Sequence, residues 1–139
     1  MLKLWFIFIC VWSFCIQVHA ASDEHNVPLT AAPRTVTPVL DQFFSALRKG
    51  DISRAYYSLT SEELRQATSL KEFSTEISRF SPLSRNRSVQ YGETVYSGSM
   101  AFVSVQAVSL ERSTNQVKFA LRFEDNQWRI VGFQVFASS

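Results

Sequence analysis

The chain has 139 residues, a length that fits one domain, with 46% hydrophobic residues and 14 Lys+Arg against 12 Asp+Glu. A net charge of +2 creates no field suited to holding a nucleic acid, and this apolar content is too ordinary for a disordered chain. The apolar residues are concentrated in one run at the amino end and in periodic stretches further on.

Residues 1–20 open on Met-Leu-Lys, continue as an apolar run from Leu4 to Ile16 broken only by Ser13, and close on Gln-Val-His-Ala. A basic start, an apolar centre and small closing residues make a secretory leader, with cleavage expected after Ala20. An uncleaved anchor is the alternative, but a spanning helix needs about 20 apolar residues and this run is shorter. Cys10 and Cys15 follow Ile9 and Phe14, not the small residue that lipidation requires. Cleavage would leave 119 residues (139 minus 20) with no cysteine, hence no disulfide, thiol nucleophile or Cys-based metal site. The expected location is the periplasm, or outside the cell.

Residues 21–36 hold Pro28 and Pro33 among mixed polar residues with no periodicity, and read as a flexible tether. His25, the one histidine left after cleavage, falls here, which removes imidazole from any site in the folded domain. An N-terminal metal clip of His25 with Asp23 and Glu24 lacks a preformed cage. No metal or cofactor is expected.

The folded domain is expected over residues 37–137. Thr37-Pro38 reads as N-cap and first helical position, and Leu40, Phe43, Phe44 and Leu47 repeat on one helix face. Gly50 stops this helix and Asp51 caps a second, with Ile52, Ala55, Tyr56 and Leu59 on one face. Thr60 with Glu63 is a possible capping box. Ser69 with Glu72 is a better one, opening a third helix with Leu70, Phe73, Ile77 and Phe80, which Pro82 ends. The period then changes to two, with strands at about 87–96, 100–110, 116–124 and 127–136. The turns are Ser97-Gly98, the loop Arg112 to Asn115, and Asp125-Asn126. Three helices followed by an antiparallel four-stranded meander make an α+β domain with the helices on one sheet face.

These turns fix a register. Phe123 falls opposite Trp128, Leu121 opposite Ile130 and Phe119 opposite Gly132. Val108 falls opposite Phe119, Gln106 opposite Leu121 and Ser104 opposite Phe123. Val95 falls opposite Met100, Glu93 opposite Phe102 and Tyr91 opposite Ser104. The helix-facing side then carries Tyr91, Glu93, Ser104 and Gln106, joined by Gln134 and bordered by Trp128. Burying such groups unpaired costs several kcal/mol, so they pair, lie at an uncovered rim, or line a ligand cavity. The other face carries Val103, Val105, Val131 and Phe133, with Arg122 opposite Arg129. This apolar stripe suggests a sheet-to-sheet homodimer. A bulge at Gly132 would instead turn Phe133 and Val135 inward. Like charges directly opposite are unfavourable, so Glu124 or an anion would relieve the arginine pair.

Phe44, Gly50-Asp51, Arg54-Ala55-Tyr56, the Phe73 helix and the closing Trp128-Arg129-Ile130-Val131-Gly132 resemble the nuclear-transport-factor-2-like (cystatin-like cone) superfamily, in particular its small exported bacterial members of unknown function. The resemblance covers residues 37–137. It implies a curved sheet wrapped round helices, a conical hollow and frequent dimers through the sheet. Some superfamily members are isomerases or cyclases of the ketosteroid isomerase or SnoaL type, with an acidic base deep in the cone and a Tyr donor. Glu93 with Tyr91 would be the nearest counterpart here, although near the open hairpin end, and no His is present in the domain.

Arg79, Arg85 and Arg87 form an anion-patch candidate, and Asn86-Arg87-Ser88 is a glycosylation sequon if the source is eukaryotic. Three functions follow as expectations. The first is a non-catalytic exported domain that binds a partner protein or a small apolar ligand in the bacterial envelope. The second is an enzyme using the cone pocket, and the third an accessory subunit of an envelope or secretion assembly.

Overall fold

The computed structural model describes residues 35–137. The leader, its two cysteines, His25 and residues 21–34 of the tether lie outside the described residues. Five helices precede four strands: α1 (Thr37–Arg48), α2 (Ile52–Leu59), α3 (Glu62–Ala67), α4 (Leu70–Arg79), α5 (Ser81–Ser84), β1 (Asn86–Ser97), β2 (Met100–Ser109), β3 (Thr114–Glu124) and β4 (Gln127–Ala137). The strands form one antiparallel sheet in the order β1-β2-β3-β4, which is the expected meander.

Local chemistry explains most helix ends. Asp51 accepts the backbone N–H of Arg54, and Gly50 takes φ 74° between α1 and α2. Ser69 and Glu72 form the full capping box, and these bonds hold the Glu72 carboxyl below its usual range, the Ser69 backbone N–H first and its hydroxyl second. Two details differ from expectation. Val36, not Thr37, is the N-cap of α1 and lies in the core, so the fold starts inside the stretch assigned to the tether. Ser61, one residue after Thr60, caps the additional helix α3, while the Thr60 hydroxyl turns back to the Tyr56 carbonyl. Pro82 does not simply end α4. It enters the first turn of α5, where a missing N–H costs nothing.

Sheet register departs from the sequence expectation at two turns. Ser109 and Ser113 close the β2–β3 loop: the Ser109 N–H donates to the Ser113 carbonyl at 2.8 Å and the Ser113 N–H to the Ser109 Oγ at 3.1 Å. The loop therefore lies two residues earlier than expected, and Val108 stands opposite Thr114, not Phe119. A slip of five residues is odd, so all of β2 shows the opposite face. The β1–β2 turn is Gly98-Ser99, with Gly98 at φ 58° in the first central position as a type II′ turn requires. Val95 then stands opposite Phe102. The β3–β4 turn is as expected, with Asp125 and Asn126 both at positive φ, and Phe123 opposite Trp128 and Leu121 opposite Ile130.

Both edge strands are irregular. In β1 the register shifts between Asn86 and Ser88 and again between Tyr91 and Thr94, and in β4 it shifts opposite the Ala120–Leu121 step, where Val131 is the extra residue. Beyond it Phe133 pairs with Phe119 and Val135 with Val117 on the helix side. The core is accordingly aromatic. The Phe43 ring stands 5.6 Å from Phe119 and 6.2 Å from Phe133, while Phe73 stands 6.2 Å from Phe133. Ala101, Val103, Val105 and Ala107 of β2 complete it.

Asn86 ties the helical layer to the first strand. It is 1% exposed, its Nδ2 donates to the Phe44 and Leu83 carbonyls at 3.1 Å each, and its Oδ1 accepts from Arg48 Nη2 at 2.8 Å. Replacing it with Ala removes the donor that two carbonyls share and the side-chain acceptor of the Arg48 guanidinium, which keeps only the backbone carbonyl of residue 86. Asn86→Ala should lower unfolding stability by about 2–4 kcal/mol, against about 1 kcal/mol for Ser69→Ala at the exposed cap. Urea unfolding of the two variants checks this order, and equal losses would deny Asn86 its role.

Candidate functional site

The revised register redistributes the expected pocket residues. Ser104 and Gln106 stand on the outer sheet face, opposite Lys118 and Gln116. Gln134, opposite Lys118, joins them there because Val131 shifts the parity of β4. Glu93 is exposed in the β1 irregularity. Only Tyr91 and Trp128 of that group face the helices, so the expected polar cluster is not assembled. The interface set is also divided. Val103 and Val105 are buried against β3, and Phe133 is packed among the core rings, whereas Val131 is half-buried at the β4 irregularity. Arg122 does stand opposite Arg129. Relief comes from the residues beyond the free edge of β4: Arg122 Nη1 donates to Glu63 Oε1 at 2.6 Å, and Arg129 Nη1 donates to the Ser58 carbonyl. The Thr60–Ile130 bridge holds that segment against β4.

Other candidates resolve into structure. Asn86 cannot carry a glycan, because its amide is buried and both donor directions are used. Arg79 pairs with Glu76 at 2.8 Å and Arg85 with Glu111 at 2.9 Å, which neutralises two members of the arginine group. The Tyr56 hydroxyl donates to the Thr68 carbonyl at 2.6 Å from within the core.

Two features remain on the helix side of the sheet. The first is the hydrogen bond from the Tyr91 hydroxyl on β1 to Asp41 Oδ1 on α1. Burial pushes the Tyr91 pKa above the usual tyrosine range, the bond to Asp41 and its negative charge add to the rise, and Arg48 opposes it. Tyr91 is engaged by Asp41 and not by Glu93, a partnership across 50 residues that no local pattern announces. The second feature lies at the end of the sheet where both hairpins turn, joined by the Phe123 N–H donating to the Ser99 carbonyl at 2.7 Å. There the Trp128 ring stands 5.2 Å from Phe123 and 5.9 Å from Tyr96. Tyr96 is paired with Ala101, whose small side chain leaves space for its ring to lean across the sheet. Trp128 is 8% exposed, but Tyr96 is 47% exposed although it stands on the helix-facing side. This aromatic surface is the candidate site. Tyr96 and Phe123 were not among the site residues expected from sequence; the odd slip between β2 and β3 turns Ala101, and Tyr96 opposite it, to the helix side, whereas the one-residue move of the β1–β2 turn shifts that pairing by two and leaves the face unchanged.

Residues 29–139 match a family described as "Domain of unknown function (DUF4864)". The chain belongs to this family. No curated protein matches it. Among solved structures, an NTF2-like protein of unknown function from Silicibacter pomeroyi DSS-3 aligns at a TM-score of 0.52 and 13% identity, covering 72% of this chain and 92% of that one. A putative NTF2-like transpeptidase from Campylobacter jejuni aligns at 0.48 and 15%, covering 69% and 96%. An NTF2-like protein of unknown function from Shewanella baltica OS155 aligns at 0.48 and 12%, covering 73% and 91%. The first of these alignments, with the helices and four-stranded antiparallel sheet, gives this DUF4864 chain the NTF2-like α+β fold that its residues suggested. At these identities the likeness concerns fold and not activity.

The Tyr91–Asp41 pair has a pH consequence. A pKa raised on folding means that the folded state holds the proton more tightly than the unfolded chain. This contribution is complete below about pH 10, the unfolded tyrosine value, and is lost as pH rises through the higher folded value. Absorbance titration should show one tyrosine ionising after the others. Asp41→Asn should move that step to lower pH, and Tyr91→Phe should abolish it.

Proposed function

We propose that this chain is a non-catalytic, exported binding domain of the bacterial envelope whose seat for a small apolar ligand is the Tyr96–Phe123–Trp128 surface. The observation that carries the reading is Tyr96, a large ring on the helix side of the sheet with about half of its surface open to solvent. Uncovered aromatic surface of this kind is what small-molecule sites use for contact area. Export rests on the leader pattern of residues 1–20. The non-catalytic element rests on the engagement of Tyr91 by Asp41 and on the absence of histidine from residues 35–137. The test is native mass spectrometry of the protein isolated from its own host. A retained small molecule is expected, and Tyr96→Ala should weaken its binding about tenfold. A bare chain that also takes up no apolar probe overturns the reading.

A second reading, homodimerisation through the outer sheet face, is favoured by Val95 and Phe102. They stand directly opposite each other and are 49% and 47% exposed. With Phe136, under the Lys118 ammonium at 5.3 Å, they make this face more apolar than a solvated sheet requires. Sedimentation at tens of micromolar should give a dimer that Phe102→Asp converts to monomer. A wild-type monomer at that concentration removes this reading.

A further inference from the structure

We propose that the hairpin-end surface selects an uncharged apolar molecule bearing an oxygen acceptor (a ketone, ester or alcohol on a ring or chain) whose oxygen takes the hydrogen bond of the Trp128 indole N–H. This rests on the ligand-binding reading above and names the ligand class for it. Among the described residues, Trp128 Nε1 is the buried side-chain polar atom left with no hydrogen-bond partner. Buried polar groups elsewhere are satisfied. Asn86 makes bonds to both layers, Ser61 accepts the Leu64 N–H, Ser109 holds Ser113, and Tyr56 reaches two carbonyls. A fold that satisfies these groups leaves one donor open, and an indole N–H can only donate. A lone water is a poor substitute. It needs two or more polar partners, and the ring neighbours of Trp128 are Phe123 and Tyr96.

The Tyr96 ring stands beside the indole at 5.9 Å. It lies on the edge strand β1 and is half-exposed, so it can turn aside on the fast timescale of surface side chains and admit a ligand to the indole. The surrounding charge argues against an anion. Glu93, Glu124 and Asp125 lie toward this end of the sheet, while the two cations of residues 121–130, Arg122 and Arg129, are held by Glu63 and the Ser58 carbonyl. A carboxylate desolvated against these rings would have no counter-charge, whereas a neutral oxygen needs only the one donor.

Three naphthalenes of similar size separate the elements of the proposal when titrated into the full chain, with binding measured by calorimetry and the indole N–H signals by proton–nitrogen correlation spectra. Trp128→Phe assigns the relevant signal among Trp5, Trp12 and Trp128. Acetylnaphthalene should bind about tenfold more tightly than ethylnaphthalene and move the Trp128 N–H signal downfield. Naphthoate should bind more weakly than acetylnaphthalene. Trp128→Phe should reduce acetylnaphthalene to the level of ethylnaphthalene, and if that variant does not fold, the wild-type N–H shift still decides. Equal binding of the ketone and the hydrocarbon with no N–H shift overturns the acceptor assignment and leaves the apolar site standing. Tightest binding of naphthoate overturns the selection for uncharged ligands. Binding of none overturns the site itself.

Discussion

Extra residues in the edge strands, two in β1 and one in β4, decide which side chains the sheet turns toward the helices. Strand side chains alternate faces, so a single unpaired residue inverts everything beyond it. In β4 that residue is Val131, and it delivers Phe133 and Val135 to the core while sending Gln134 outward. In β1 the irregularity between Tyr91 and Thr94 keeps Tyr91 and Val89 facing inward along with Thr94 and Tyr96. A side chain would be crowded at one of these places. A Cβ on Gly92 would lie 3.2 Å from the Ser104 carbonyl oxygen, whereas one on Gly132 would meet nothing. The central strands β2 and β3 pair without interruption, so the edges adapt to a regular centre.

The two ends of the sheet are finished in different ways. At the β2–β3 end the polar groups are closed on one another. Asn86 joins α1, α5 and β1, and Ser109 and Ser113 tie off the loop. At the hairpin end the helix-facing surface finishes in rings, one donor is open, and Tyr96 is half in solvent. A polar knot of this kind gives rigidity, since each member would be expensive to expose. Rings at a free end give contact area that the chain itself does not consume. The polar ties of this fold and its uncovered rings therefore lie at opposite ends of one layer.

The two faces differ in the same way. The inner face is filled by the Phe43, Phe73, Phe119 and Phe133 rings, with the Tyr91–Asp41 hydrogen bond on the same side. The outer face mixes Gln90, Gln106, Gln116 and Gln134 with Val95, Phe102 and Phe136, a surface that is neither fully solvated nor fully apolar. The arginine pair shows how the fold resolves a local conflict. Arg122 and Arg129 would repel, but the segment from Ser58 to Glu63 lies along the edge of β4 and supplies an acceptor to each.

The sequence by itself determined the class and order of the elements. The Asp51 and Ser69 caps, the Gly50 stop, the change from helical to alternating period, and the Asp125-Asn126 turn are signals read within a few residues, and the structure carries these, while Val36 takes the cap expected of Thr37. A short helix capped one residue later than expected escaped, because Thr60 and Ser61 are equally good caps until the core chooses between them. What only the tertiary structure decided is face and partnership. The Ser109–Ser113 closure and the Val131 irregularity each move a strand by an odd number of residues, and both are selected by the summed packing of Phe43, Phe119 and Phe133 across long stretches of chain. The same dependence brings Asp41 to Tyr91 and leaves the Trp128 N–H open. Local patterns carry the first kind of information because their energies are local. The second kind depends on contacts that exist only once the whole layer has closed.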